Sequence, residues 1–232
     1  MKLSIVVPAY NEAENIAQVI RDIEEKVSVE HELVIVNDHS VDATADIVRQ
    51  LLGDFKNLRL VENLDERGFS SALKTGFNNI NTEIVVPVMA DLCDDLTSIP
   101  MMLEKINAGY DIVCASRYIK GGARLGGPKI KAWLSCLSGW TLYYLIGIPS
   151  HDITNSFKMY RKKVIDSVKI QAKSFEISME ILLNGYYRGF RITEVPTVWK
   201  ERTKGRSNFR VFRLVSNYLN FYLWAIAKRM FA

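Results

Sequence analysis

The sequence predicts an α/β fold in which a mainly parallel sheet is flanked by helices, and three observations support this prediction. Apolar, β-branched runs that are typical of buried strands alternate with amphipathic stretches of helical length. The alternation has the spacing of βαβ units, which favours parallel strands. Polar residues follow three of the strand patterns directly, at Asp38, Asp91 and Arg117. Because parallel strands end at the same edge of a sheet, these side chains are expected to share one ligand-binding rim.

The individual elements follow from the same patterns. Strands in the first half of the chain are predicted at residues 3–7, 33–36, 58–61, 84–90 and 112–115. Helices are predicted between them at residues 41–52, 67–79 and 96–108, and Asn11 is expected to cap an earlier helix that runs to about Lys26. Later in the chain, a helix at residues 175–187 precedes a strand at 190–196 that continues to Trp199.

The strand pattern at residues 84–90 ends abruptly at carboxylates. Asp91, Asp94 and Asp95 lie within five residues and would repel one another if they were unpaired. A hard cation such as Mg²⁺ or Mn²⁺, which prefers carboxylate oxygen, is one way to relieve the repulsion. Asp94 and Asp95 also suit the capping of the next helix. Asp91, at the strand tip, is therefore the candidate functional residue.

Composition narrows the class of protein. The chain has 232 residues and a net charge of +4, from 30 basic and 26 acidic residues, which is too mild to indicate a nucleic-acid partner. Its three cysteines are scattered, which supports neither a disulfide framework nor a zinc site and favours a reducing, cytosolic environment. The first strand pattern follows Met1 and Lys2 directly, so no signal peptide is expected.

Two apolar, aromatic stretches occupy residues 132–150 and 210–230. The first approaches the length of a membrane span, but Gly139, Gly147 and Pro149 interrupt it, so an interfacial or re-entrant helix is expected. The second ends in basic residues that suit anionic headgroups. Packing of both helices on the sheet or on each other is the alternative, and a homodimer interface is another.

Several motifs occur in a fixed order along the chain. They lie at residues 4–16, 32–44, 67–68, 90–92 and 116–118, and at Arg202 with Gly205 and Ser207. In order and spacing they resemble family 2 glycosyltransferases of the GT-A fold. Within that family they resemble the dolichol-phosphate mannosyltransferase-like group, also called polyprenyl-phosphate glycosyltransferases.

The resemblance implies a GT-A, Rossmann-like catalytic domain at residues 1–207 and a C-terminal amphipathic helix at 208–232 that suits a membrane interface. It implies an inverting enzyme that moves a sugar from a nucleotide-diphosphate sugar, GDP-mannose or a UDP-hexose, to a polyprenyl or dolichyl phosphate. The reaction would take place at the cytoplasmic face of the membrane, with the protein peripherally associated.

The resemblance also assigns the donor residues. Pro8, Tyr10 and Glu12 would line the base and ribose, and Asp38 would accept hydrogen bonds from them. Asp91, which follows Ala90 in the donor site, would bind a divalent cation, Mg²⁺ or Mn²⁺. The family motif is usually Asp-x-Asp, but here Met89 replaces the first carboxylate and Cys93 stands where a polar residue is common. A thioether is a poor ligand for these cations.

Basic residues would stabilise the charge that grows on the departing nucleoside diphosphate. Arg117 and Arg202 suit this role because a guanidinium is a permanently charged, planar fork for phosphate. The family often has a lysine at the position of Asn208, and Arg206 is predicted to compensate for its absence.

The acceptor side is assigned to Lys131, Ser135 and Asp152 by the same resemblance. A lipid phosphate is already ionised at neutral pH and attacks without a strong base. A saccharide hydroxyl, as in cell-surface polysaccharide synthesis, would need one, and Asp152 and Glu176 are the candidates. A non-catalytic nucleotide-sugar-binding protein is a further alternative, suggested by Met89. A nucleotidyltransferase is disfavoured because no glycine-rich loop follows the first strand.

Overall fold

A seven-stranded sheet organises the computed structural model, which describes residues 2–202 and 211–231. Its spatial order is β3-β2-β1-β4-β7-β5-β8. The strands are β1 Leu3–Ala9, β2 His31–Asn37, β3 Leu58–Glu62, β4 Ile84–Pro87, β5 Ile112–Ser116, β7 Lys158–Arg161 and β8 Ile192–Pro196. The remaining strands, β6 Ala123–Leu125 and β9 Val198–Lys200, form a separate parallel pair.

Helices connect most of the strands. They are α1 Ile16–Lys26, α2 Thr44–Leu51, α3 Phe69–Asn78, α4 Ile99–Asn107, α5 Lys129–Ile146, α6 Lys162–Ser167, α7 Ile177–Tyr187 and α8 Val211–Met230. A 3-10 turn at Leu96–Ser98 leads into α4. The α/β class and the GT-A-like arrangement predicted from the sequence are confirmed.

The sheet is mainly parallel, as predicted. β7 runs antiparallel to its neighbours β4 and β5, whereas the other neighbouring strands pair in parallel. The sequence analysis missed β7 because its four residues, Lys158 to Arg161, begin and end with a basic side chain. β2, β4 and β5 still end at one edge, which places Asp38, Asp91 and Arg117 on the expected rim.

Two apolar layers cover the two faces of the sheet, and successive residues of β1 show the alternation. Ile5 and Val7 point into the layer shared with α1, α2 and α4. Val6 points into the layer shared with α3, α5 and α7. Burial on both faces explains why the strand reads as a continuous apolar run rather than an alternating one.

Two predicted boundaries were wrong for local reasons. Asn11 does not cap α1, which begins at Ile16. Asn11 has a left-handed φ of 54°, and its Oδ1 accepts a hydrogen bond from the backbone N–H of Val41 at 2.9 Å. The predicted strand at 84–90 ends at Pro87, because the N–H of Met89 donates to the carboxyl of Asp94 rather than to a strand.

The two aromatic stretches form α5 and α8, which pack on each other. The hydroxyl of Tyr222 on α8 donates a hydrogen bond to the hydroxyl of Thr141 on α5 at 2.9 Å, and Ala225 of α8 is buried. Apolar side chains remain exposed on the outer sides of both helices: Trp133, Leu137, Tyr144, Leu219 and Leu223. Within residues 2–202 and 211–231, every helix falls short of the length and apolar character that crossing a membrane requires.

Candidate active site

One end of the rim is built from the loops that follow β1, β2 and β3. Asp38 is buried, and its carboxylate accepts hydrogen bonds from Asn63 Nδ2 at 2.7 Å and from the N–H of Gly68 at 3.0 Å. Asp38 thereby fixes the backbone at the start of α3. The structure places Asp38 at the rim with its carboxylate already bound to protein groups.

Tyr10 and Pro8 lie at the end of β1. Pro8 is buried within the strand, and Tyr10 is half-buried. The guanidinium carbon of Arg67 lies 4.8 Å from the centre of the Tyr10 ring, and Arg67 Nη1 donates to the Tyr10 hydroxyl at 2.8 Å. A flat aromatic face with a cation beside it suits a nucleoside and its phosphates.

Arg202 joins two of the loops at the rim. Its Nη2 donates to Glu12 Oε1 at 2.9 Å and lies 3.1 Å from Asp91 Oδ2. We call this set of three residues the Arg202 bridge. Burial raises the pKa of Glu12. Burial alone would lower the pKa of Arg202, but the charges of Asp91 and Glu12 outweigh it and raise that pKa.

The backbone before Arg202 is fixed on both sides. The N–H of Lys200 donates to the carbonyl of Cys93 at 3.2 Å, and the N–H of Glu201 donates to the carbonyl of Leu125 at 2.9 Å. The pairing of β6 with β9 therefore delivers Arg202 to the tip of β4.

The loop that carries Asp91 is held by its own hydrogen bonds. Asp91 Oδ1 accepts from the N–H of Cys93 at 3.1 Å, and Leu92 between them adopts a left-handed φ of 61°. Asp94 is half-buried and accepts a hydrogen bond from the N–H of Met89; desolvation, with the charge of Asp91, raises its pKa to about 7. Asp95 caps the 3-10 turn through Thr97, as predicted, whereas Asp94 does not cap it.

These residues fit a divalent cation only in part. Both oxygens of Asp91 already have protein partners, and Met89 supplies no carboxylate. In the described part of the chain, no three His, Cys, Asp or Glu side chains are grouped to hold a metal ion. A cation at Asp91 would need further oxygen ligands, from phosphate groups and from water, to complete its coordination shell.

A second arginine organises the other end of the rim. Arg117 Nε donates to Asp152 Oδ2 at 2.7 Å and Nη2 donates to Oδ1 at 2.8 Å, a bidentate pair. The same Nη2 lies 3.1 Å from Ser135 Oγ and 3.3 Å from Thr154 Oγ1. We call these four residues the Arg117 cluster. Ser135 and Asp152 were predicted together on the acceptor side, whereas Arg117 was assigned to the leaving diphosphate, so its pairing with them was not predicted.

The Arg117–Asp152 pair within this cluster is buried and ionised. Burial alone would raise the pKa of Asp152, but the guanidinium of Arg117 outweighs it and holds that pKa below its usual value. Lys158 lies fully buried nearby and donates to the carbonyls of Ile153 and Asn155, and burial lowers its pKa. Lys158 thus supports the segment that follows Asp152.

Three of the remaining predicted residues, Lys131, Glu176 and Ala90, lie in the described part of the chain. Lys131 is one turn before Ser135 on α5, and burial and the charge of Arg124 lower its pKa. Glu176 Oε1 accepts from Asn217 of α8 at 3.0 Å, whereas its buried Oε2 has no hydrogen-bond partner among the described residues. Ala90 is buried behind Asp91. Arg206 lies outside the described residues.

The sequence analysis missed several residues that shape the site. Asn63 holds Asp38 and follows β3, so the signal used for the other strand ends was present there too. His151 precedes Asp152; its Nδ1 lies 2.6 Å from Glu194 Oε1, and its ring stacks on Tyr143 of α5. No local pattern marks His151, because its partner Glu194 lies 43 residues away in the sequence.

Comparisons with known proteins identify the family of this chain. The family model described as glycosyl transferase family 2 matches residues 4–169. A dolichol-phosphate mannosyltransferase from Pyrococcus furiosus is 31% identical over 90% of this chain, which spans 60% of that relative's length. A polyprenol monophosphomannose synthase from Mycolicibacterium smegmatis is 24% identical, with 97% of this chain and 88% of the relative covered.

The fold is shared with solved structures. Glucosyl-3-phosphoglycerate synthase from Mycobacterium tuberculosis, in complex with Mn²⁺, UDP and glucosyl-3-phosphoglycerate, superposes with a TM-score of 0.73. The match covers 97% of this chain and 80% of that chain at 19% identity. At this identity the likeness concerns the fold.

Proposed function

This chain belongs to glycosyl transferase family 2, and we propose that it is an inverting enzyme that glycosylates a polyprenyl phosphate. The donor is a nucleotide-diphosphate sugar, GDP-mannose or a UDP-hexose, and the names of the relatives favour mannose. The catalytic domain spans residues 1–207, and the reaction takes place at the cytoplasmic face of a membrane.

The ion pair between Asp152 and Arg117 is the observation that favours a phosphate acceptor over a hydroxyl acceptor. A hydroxyl acceptor needs a base that takes its proton, and Asp152 is a poor one because Arg117 holds it as a fully buried, stabilised anion. A phosphate monoester is ionised at neutral pH and needs no base. Arg117, Ser135 and Thr154 offer donors suited to phosphate oxygens, and Lys131 adds positive charge one turn away.

In this proposal one end of the rim binds the nucleotide of the donor and the other end binds the acceptor phosphate. Pro8, Tyr10, Glu12 and Asp38 line the nucleoside, and an oxygen of the acceptor phosphate attacks the anomeric carbon from the side opposite the diphosphate. The new C–O bond forms as the bond to the diphosphate breaks, which inverts the configuration.

Charge stabilisation of the leaving group comes from several sources. The resemblance assigns this task to Arg202, Arg206 and Arg117. We keep it for Arg202 and Arg206 and reassign Arg117 to the acceptor phosphate, because Arg117 is paired with Asp152 beside Ser135. A divalent cation bound with the donor at Asp91 supplies further charge to the leaving diphosphate.

The outer sides of α5 and α8 suit the surface on which such an acceptor resides. Trp133, Tyr144 and Leu223 are exposed there, and Lys228 and Arg229 add positive charge to the last turn of α8. Aromatic and basic residues of this kind favour the interface of an anionic bilayer. We assign this face to the membrane, next to the Arg117 cluster.

Transfer assays with matched acceptors test the proposal. Labelled GDP-mannose, UDP-glucose and UDP-galactose are each incubated with polyprenyl phosphate, with polyprenol, or with a saccharide. Label is expected in the organic phase with the phosphorylated lipid alone. Ser135→Ala should raise the KM for this lipid by about fivefold, while Ser138→Ala, whose hydroxyl contacts only the backbone of Ser135, should leave it unchanged. Transfer to polyprenol or saccharide would overturn the assignment.

Glu176 favours a second candidate, transfer to a saccharide hydroxyl. Its buried Oε2 has no hydrogen-bond partner among the described residues and is available to accept a proton. Glu176→Gln would then abolish transfer to the saccharide. With a lipid phosphate as acceptor, the same variant is expected to retain turnover.

A further inference from the structure

The Arg202 bridge contains Asp91, the residue to which the resemblance assigns the divalent cation. One guanidinium nitrogen, Nη2, contacts carboxylates from two different loops, at 2.9 Å from Glu12 and 3.1 Å from Asp91. The N–H of Cys93 donates to the other oxygen of Asp91, so each oxygen of this carboxylate already has one protein partner. A divalent cation at Asp91 and the guanidinium in this position exclude each other by charge and by space.

The chain also lacks a second carboxylate beside Asp91 that would help a metal ion displace the guanidinium of Arg202. Met89 offers a thioether two residues before Asp91, and the half-buried carboxyl of Asp94 accepts a hydrogen bond from the backbone N–H of Met89. A single carboxylate is a weak site for Mg²⁺ or Mn²⁺. A nucleoside diphosphate changes the balance, because its oxygens ligate the metal ion and also attract the guanidinium.

The backbone before Arg202 is held by hydrogen bonds, so the guanidinium can leave Asp91 by a movement of the Arg202 side chain. Lys200 and Glu201 are fixed by backbone hydrogen bonds to Cys93 and Leu125. The three side chains of the bridge keep 15%, 11% and 14% of their surface exposed, so solvent and ligand reach them.

We infer that Arg202 is an exchangeable cation. In the donor-free protein it neutralises Glu12 and Asp91, and the divalent cation enters only together with the nucleoside diphosphate, onto which the guanidinium then moves. This inference rests on the proposed donor class. It predicts an order of binding in which free metal ion binds poorly, and the diphosphate and the metal ion bind cooperatively.

Direct titration with Mn²⁺, followed by electron paramagnetic resonance without any nucleotide, tests the exchange. Arg202→Met is expected to tighten Mn²⁺ binding by about tenfold or more, because the competing charge is removed. Arg202→Lys, which keeps the charge, should bind Mn²⁺ as weakly as the unaltered chain. Arg49→Met removes the same charge at an exposed site, where Arg49 pairs with Asp46, and should have no effect. Equal Mn²⁺ affinity in the unaltered chain and in Arg202→Met would overturn the inference.

A second titration separates this inference from the proposed function. GDP or UDP should tighten Mn²⁺ binding in the unaltered chain, and this cooperativity should fall by about tenfold in Arg202→Met. Cooperativity that is the same in both proteins would overturn the inference. If neither nucleotide binds, the donor class proposed above is wrong, whatever the first titration shows. Melting curves of each variant confirm that it is folded before the titrations are compared.

Discussion

The two arginines at the rim have the same kind of partner and different surroundings. Arg117 and Asp152 are 8% and 0% exposed, and Arg117 pairs with both oxygens of the carboxylate. Arg202 spans Glu12 and Asp91 through one nitrogen, in a site that solvent still reaches. The comparison teaches that burial and geometry separate a fixed ion pair from a replaceable one, although the residue types are identical.

Removal of Arg117 should have the largest effect on stability. Arg117→Met leaves the Asp152 carboxylate buried without its partner and is expected to cost about 3–5 kcal/mol of unfolding free energy. Urea unfolding measures this loss. The double variant Arg117→Met with Asp152→Asn should recover part of it, and a loss below about 1 kcal/mol would contradict the view that the Arg117 cluster is fixed.

Asp94 lies between the two arginine sites and should make stability depend on pH. Its folded pKa of about 7 exceeds its ordinary value of 3.8, so the fold favours the neutral carboxyl. Its contribution to stability is therefore complete below the ordinary pKa and is lost as pH rises through about 7.

Asp94→Asn tests this directly, because the amide oxygen still accepts from the N–H of Met89. Between pH 4 and pH 7 the unaltered chain should lose a few kcal/mol of unfolding free energy relative to the variant, at about 1.4 kcal/mol per unit of pKa difference. Parallel curves for the two proteins, measured with chelator present, would show that Asp94 ionises normally.

Met89→Asp tests whether the Arg202 ion pairs are replaceable, because it gives the metal ion a second carboxylate. The affinity for Mn²⁺ without nucleotide should rise by about tenfold, or roughly 1.4 kcal/mol, because the added carboxylate helps the metal ion displace Arg202. Met89→Leu serves as the control of similar shape. No rise in affinity would mean that residue 89 does not face the cation position.

Arg202→Met should have the smallest effect on stability. Its ion pairs are partly exposed, so the loss of unfolding free energy is expected to be about 1 kcal/mol or less, measured by the same urea unfolding. A loss as large as that of Arg117→Met would remove the distinction between the two arginines.

Much of the fold and of the rim could be predicted from local patterns. The strand ends placed Asp38, Asp91 and Arg117 at one edge, and the family assignment is confirmed. What the sequence left open is which charges pair. Arg117 and Asp152 are 35 residues apart, and Glu12 and Arg202 are 190 apart, so their contacts depend on how the sheet is ordered.

The missed elements have a similar physical origin. β7 is short and basic at both ends, yet it fills the gap between β4 and β5 because its middle residues, Met159 and Tyr160, face the two apolar layers. Asn11 looked like a helix cap in isolation but instead bonds to Val41 in the neighbouring loop. Long-range pairing outweighed local preference in both cases.

The close contact between Gly139 of α5 and His151 has a mechanical consequence. A side-chain carbon on Gly139 would lie 1.9 Å from the carbonyl oxygen of His151, so the two backbones touch without a compressible spacer. His151 is followed by Asp152, which holds Arg117. A displacement of α5 at Gly139 is therefore passed directly to the backbone of His151, and from there to Asp152 and Arg117.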